Sequence, residues 1–208
     1  GSEQIAMEGK GLEVFQADPR AIKAYGLGNA VASRGADHLR SEPWFEFSND
    51  PEEGVRRFGI PETAFRLESR GKGLVVKHFE EMAAVADSLG VCKNTYNNME
   101  VLSWAETAEL LQAATGWDFT GDEVQTIGER IVNLERLFIA REGITRRDDA
   151  LPSRFLKEPM PAGSGPSTGS VLELEAMLDE YYLARGWETE TGLPTSEKLR
   201  ELGLPAGD

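Results

Sequence analysis

The sequence is poor in the side chains that carry most redox and metal chemistry: 208 residues hold one cysteine, Cys92, and two histidines, His38 and His78. A lone thiol cannot form an internal disulfide, which fits a reducing compartment. It also excludes a structural zinc site of four Cys/His ligands within one chain, unless carboxylates complete it. No apolar run approaches the roughly eighteen residues that a membrane span requires, and no signal-peptide core opens the chain. A cytoplasmic setting is expected. Basic residues are in deficit, 22 Lys and Arg against 36 Asp and Glu, for a net charge of −14. Phosphate-backbone binding relies on clustered cations that release counterions, so DNA and RNA drop out as leading partners. A metalloprotease helix motif, a phosphate-cradling glycine loop and a nucleophile elbow are missing as well.

What is present suits one folded core. Apolar residues make up 40% and charged residues 28%, the balance of an ordinary globular domain. Gly1 and Ser2 read as the scar of a removed tag, and 3–208 as a single helical domain. Asp18 as N-cap and Pro19 at the first helical position predict a helix through Ile22, Tyr25, Leu27 and Val31 toward Gly35. Gly26 and Gly28 within it allow close backbone approach. Asp50-Pro51 opens a short helix that stops at Gly59, and an apolar stripe ending at Leu89 predicts a helix over 61–89 that runs into Gly90 and Cys92. Capping boxes at Ser103/Glu106 and Thr120/Glu123 open two more. The second places Val124, Ile127, Ile131, Leu134 and Phe138 on one apolar seam.

Residues 157–169, rich in Pro, Gly and Ser, read as a flexible internal connector too polar to pack. Helices over 171–185 and 195–202 follow. No strand signal is stronger than the run from Leu12 to Gln16, so the predicted fold class is all-α, an irregular multi-helix domain.

By default Cys92 is a small hydrophobe at a helix end. His38, flanked by Asp37 and Arg40, is a surface or helix-end histidine, and His78 is structural or solvated. Nothing in order or spacing supports Cys92 and His38 as nucleophile and base.

Four segments change this reading: "GKGLEVFQADPRAIKAYGLGNAVASRGADHLR", "VADSLGVCKN", "ATGWDFTGDEVQTIGERIVNLERLFIAREGITRRDDALPSRF" and "LDEYYLARGWETETGLPTSEKLRELGL". In this order they resemble the C-terminal helical domain of the tungsten-containing aldehyde ferredoxin oxidoreductase family, most specifically around "GERIVNLERLFIAREG". Asp87-Ser88-Leu89-Gly90-Val91-Cys92 is similar to that family's pterin-binding Asp-x-x-Gly-Leu-Cys motif, with Val91 in place of Leu. The resemblance implies that Asp87 accepts hydrogen bonds from pterin N–H groups and that Gly90 and Val91 bring backbone against the ring. It makes Cys92 one of four ligands of a 4Fe-4S cluster, the other three lying outside this chain. His38 matches the family's histidine near the tungsten and is the one catalytic candidate, an imidazole that moves a proton near neutrality.

Asp37 departs from the small or Cys residue expected before that histidine, and "SEPWFEFSNDPEEG" from the usual continuation. The substrate is therefore an aldehyde, another acid/aldehyde couple or an aromatic acyl thioester. The implied cofactors of the full-length protein are a tungsten bis-pterin (tungstopterin) and the 4Fe-4S cluster, with none bound by this chain alone. Implied partners are ferredoxin, a small-molecule aldehyde and the missing N-terminal and middle domains of the same polypeptide, and a homo-oligomer is compatible. The isolated domain is expected to be folded, inactive and apolar on its exposed face. The rival reading is a non-catalytic assembly module on the same scaffold, which has no need of a ligand thiol.

Overall fold

A computed structural model of the chain describes residues 5–205; Gly1 and Ser2, read as a tag scar, lie outside them. The first elements are two short antiparallel strands, β1 (Glu8–Gly9) and β2 (Leu12–Glu13). Lys10 and Gly11 join them at φ 49° and 79°. Lys10 turns inward, 2.6 Å from Asp149, and its ammonium donates to the carbonyls of Ala30 and Ala32. A cation at the carbonyl end of helix α1 (Lys23–Val31) suits the helix dipole and clamps the hairpin down.

Helix α1 begins later than Asp18-Pro19 predicts. The Asp18 carboxylate accepts from the backbone and Nε of Arg20 at 3.0 and 2.9 Å, closing a turn instead of capping the helix. The orphan amides of Ala24 and Tyr25 are met by Glu46, at 2.9 and 3.4 Å. Glu46 is fully buried on a 3-10 turn, Trp44–Phe47, 3.9 Å from Lys72. Burial pushes its carboxyl up to about 7, against the pull of Lys72 and of the two amides.

Helix α2 (Pro51–Phe58) forms as predicted, capped by Asp50 and stopped by Gly59. The helix predicted over 61–89 is split into a 3-10 turn, Pro61–Ala64, and α3 (Lys72–Leu89). The buried Lys72 ammonium gathers the carbonyls of Thr63 and Phe65 at 2.9 and 2.8 Å. A continuous helix would have spent those carbonyls on its own amides. Helix α3 is the central element, burying Val75, Val76, Phe79, Met82, Ala83 and Ala86. Helices α1, α5 (Gly121–Arg141) and α7 (Leu174–Arg185) pack on it, and α4 (Trp104–Thr115) packs on α5. Both predicted capping boxes are present.

The face that α5 buries follows the predicted seam at Val124 and Ile131 but leaves it in the second half of the helix. Val124, Gly128, Val132, Asn133 and Arg136 are buried, whereas Leu134 and Phe138 are 52% and 58% exposed. The inward face carries polar residues with specific partners: Asn133 accepts from the Trp187 indole at 2.8 Å, and Arg136 pairs with Asp149 at 2.8 Å. Periodicity of apolar residues cannot see such a face.

After α6 (Ser153–Lys157), the segment 157–169 differs from the expectation that it is too polar to pack. The Met160 N–H donates to the Ser170 carbonyl at 2.9 Å, and the buried Ser167 hydroxyl accepts from Arg66 at 3.0 Å. Its polarity is what docks it. Helix α7 stops at Gly186, and α8 (Ser196–Glu201), capped by Thr195, completes the helices. Among the described residues, strand pairing amounts to the hairpin and one bridge, Trp187–Pro194, so the chain is all-α.

Candidate cofactor-binding face

Helix α3 delivers the candidate residues from its last turn. Gly90 ends it at φ 68°, while Val91 N–H bonds back to Ala86 at 3.1 Å, the usual way for a helix to close on a left-handed residue. A Cβ at Gly90 would meet nothing within 4 Å, so the requirement for glycine here is conformational and the space before it is open.

Cys92 is exposed, which overturns its reading as a buried small hydrophobe. It opens the π-helical turn Asn94–Asn98. The Thr95 backbone N–H, the Thr95 hydroxyl and the Asn94 N–H donate to its sulfur and hold the thiol below its ordinary range. Thiolate is the form that ligates metal.

Asp87 is partly exposed, and a single oxygen, Oδ2, accepts from both Arg40 and Lys93, each at 2.8 Å. Oδ1 has no partner among the described residues. His38 begins a 3-10 turn, His38–Arg40, capped by the Asp37 carboxylate on Leu39 N–H at 2.9 Å. Its half-buried ring stacks on Phe15, with centroids 4.3 Å apart and planes 16° from parallel, and Phe15 lies against Tyr25. The turn continues into Ser41, whose hydroxyl would crowd a Cβ at Gly28 of α1.

Two contacts join the His38 turn to the end of α3. Arg40 reaches Asp87, and Lys93 donates to the Leu39 carbonyl at 2.8 Å. The His38 turn therefore sits beside the end of α3 that leads through Asp87, Gly90 and Val91 to Cys92, although no hydrogen bond joins His38 to Cys92 among the described residues. Leu39, Leu89 and Val91, in these same segments, are exposed.

Arg40 escaped the sequence reading. It is 9% exposed and grips Glu135 on α5 with a second nitrogen, at 2.6 Å to one oxygen and with a bond to the other. Glu135 also accepts from Ser33 at 2.9 Å. These partners are 47 and 95 residues from Arg40, beyond any local spacing rule.

His78 belongs to another cluster. Its ring meets Phe58, Phe79 and Trp104 edge-on, and its Nε2 lies 3.0 Å from Arg57 and 3.5 Å from Glu100. Burial pushes the Glu100 carboxyl up, but bonds from His78 and Arg57 outweigh it and hold it down at about 2.

Among the described residues, no three His, Cys, Asp or Glu side chains converge to hold a metal, and no helix is long and apolar enough to cross a membrane. The fold is an all-α domain whose central helix ends in one carboxylate, Asp87, a glycine with open space before it and an exposed thiol. Residues 1–204 match the family model described as aldehyde ferredoxin oxidoreductase, domains 2 & 3, and the chain belongs to that family.

The tungsten-containing aldehyde ferredoxin oxidoreductase of Pyrococcus furiosus is 39% identical over 98% of this chain and 32% of the relative. The protein of that name from Thermococcus kodakarensis is 36% identical over the same shares. The chain thus spans about a third of the length of the curated relatives it matches. A chain of the active-site complex of benzoyl coenzyme A reductase, solved with 1,5-dienoyl-CoA, shares the fold at TM-score 0.53 and 24% identity, over 74% of this chain and 25% of that one.

Proposed function

We propose that the chain is the C-terminal domain of a tungstopterin iron–sulfur oxidoreductase that oxidises aldehydes to carboxylic acids with ferredoxin as electron acceptor, and that the domain alone is inactive. What supports this reading is that Arg40 and Lys93 tie the His38 turn to Asp87 at the end of α3, just before Gly90 and the exposed Cys92.

The donor set fits a pterin beside an iron–sulfur cluster. Asp87 Oδ1 is left to accept from an amino or ring N–H. Gly90 and Val91 can bring backbone against a planar ring, and Cys92 supplies one thiolate. When bound, the tungstopterin supplies a two-electron redox centre and the cluster an outlet for electrons one at a time. Oxidising an aldehyde to its acid consumes a water and releases two protons with the two electrons. His38, its plane fixed by the stack on Phe15, takes a proton as water adds to the carbonyl. One thiolate cannot hold the cluster, so its other ligands belong to the N-terminal and middle domains.

The test is Cys92→Ala in the full-length protein. Loss of cluster iron and of the cluster's EPR signal, with helicity retained, is the expected result. An intact cluster with unchanged activity would sink the assignment and favour a non-catalytic assembly module.

A second reading, reduction of an aromatic acyl thioester, draws on the aromatic cluster beside His38, where Phe15 meets Tyr25 at 5.5 Å and Tyr25 meets Trp44 at 6.1 Å. Turnover of a benzoyl thioester, but not of benzaldehyde, by the full-length protein would select it.

A further inference from the structure

The Asp87 carboxylate and the His38 turn come from parts of the chain with nothing covalent to hold them in register. Arg40 does so physically. Its buried guanidinium bonds Asp87 Oδ2 at 2.8 Å through one nitrogen and both oxygens of Glu135 through another. Glu135 is itself oriented by Ser33 at 2.9 Å. A planar fork held at both ends has little rotational freedom.

Lys93 closes the other side. Its ammonium bridges Asp87 Oδ2 and the Leu39 carbonyl, each at 2.8 Å. Both cations thus converge on one carboxylate oxygen, which locks the Asp87 rotamer and leaves Oδ1 as the acceptor for a ligand. Both also attach to the His38 turn, Arg40 as a member of it and Lys93 through its backbone.

We propose that Arg40, braced by Glu135, and Lys93 are positioning residues that set the Asp87 carboxylate and the His38 imidazole at a fixed separation. This proposal rests on the reading of Asp87 as a pterin contact. Neither residue touches the substrate: Arg40 acts from beneath the face, and Lys93 acts through Asp87 and the Leu39 backbone. Loosening the clip should let the carboxylate rotate and weaken retention of the pterin, while shifting the histidine relative to it.

The experiment compares Arg40→Met, Arg40→Lys, Lys93→Met and Asp87→Asn in the full-length protein. Its readouts are pterin content per polypeptide, measured after denaturation, and the EPR line shape of the tungsten centre. Arg40→Met is expected to lower pterin content at least threefold and broaden the tungsten signal. Arg40→Lys restores the charge without the fork and should recover only part of it. Lys93→Met, whose side chain sits at the rim, should shift both readouts in the same direction.

Wild-type pterin content and line shape in Lys93→Met and in folded Arg40→Met overturn the proposal; where Arg40→Met does not fold, Lys93→Met decides alone. Asp87→Asn separates the two layers of argument. If it too retains full pterin and an unchanged signal, the pterin reading of Asp87 fails and the positioning role falls with it. If Asp87→Asn loses pterin and the clip variants do not, only the positioning role fails.

Discussion

At the scale of single residues, what the motif shows and what the surroundings add can be separated at Cys92. The run from Asp87 to Cys92 is readable as a pattern. What lowers the pKa of its thiol is the turn that follows, where Thr95 and Asn94 donate to it. In the isolated chain, alkylation of Cys92 by iodoacetamide should therefore proceed at lower pH than for a free thiol. Thr95→Val removes the hydroxyl donor and should move the pH midpoint of alkylation upward. A midpoint unchanged in the variant would show that the hydroxyl contributes nothing.

Glu100 offers a second residue-scale expectation, through stability. Its carboxyl is held down at about 2 in the folded chain, below its unfolded value near 4.5. The folded state then binds fewer protons across that interval, so the stabilisation is complete above the unfolded value and fades as pH falls toward about 2. Melting of Glu100→Gln should lie below wild type at pH 7, and the gap should close between about pH 5 and pH 2. A gap independent of pH would mean that packing, not charge, accounts for it. No spacing rule would have paired Glu100 with Arg57 and His78, since the contacts cross 43 residues to Arg57.

At the scale of elements, local signals were legible and cross-chain ones were not. The capping boxes at Ser103 and Thr120, and the Asp50-Pro51 start of α2, lie within four residues of the amides they satisfy, and the structure has all three. The start of α1 differs from expectation because its amides are met by Glu46, 22 residues away, while Asp18 is by local pattern an equally suitable cap. The second half of helix α5 departs from its apolar seam for a related reason. Its inward face was chosen for close approach and polar partners: a Cβ at Gly128 would lie 2.7 Å from the Glu81 carbonyl oxygen of α3. Gly128→Ala should push α5 from α3 and cost about 1–3 kcal/mol, lowering the denaturant midpoint. Phe138→Ala, on the exposed part of the predicted seam, should change stability by only about 0.5 kcal/mol. Were that seam the buried one, the same change would cost about 3–5 kcal/mol, so the pair of variants tests which face of α5 is inside.

At the scale of the whole molecule, the candidate face and the net charge act against each other. Leu39 on the His38 turn and Leu89 and Val91 at the end of α3 are all exposed, and exposed apolar side chains on neighbouring segments invite association. The net charge of −14 repels copies of the chain, but salt shortens that repulsion to about 8 Å at physiological strength. The isolated chain should therefore be monomeric when dilute at low salt and self-associate as protein and salt concentrations rise, a dependence that light scattering after size exclusion can follow. If the face around α3's end is responsible, Leu89→Lys with Val91→Lys should keep the chain monomeric at high salt. Leu183→Lys, at a residue of α7 that is 70% exposed, should leave association unchanged. A particle that stays strictly monomeric under all these conditions would show that exposed side chains near Cys92 are too dispersed to act as one surface. Loss of association in Leu183→Lys alone would move the sticky surface to α7 and away from the residues assigned to the cofactors.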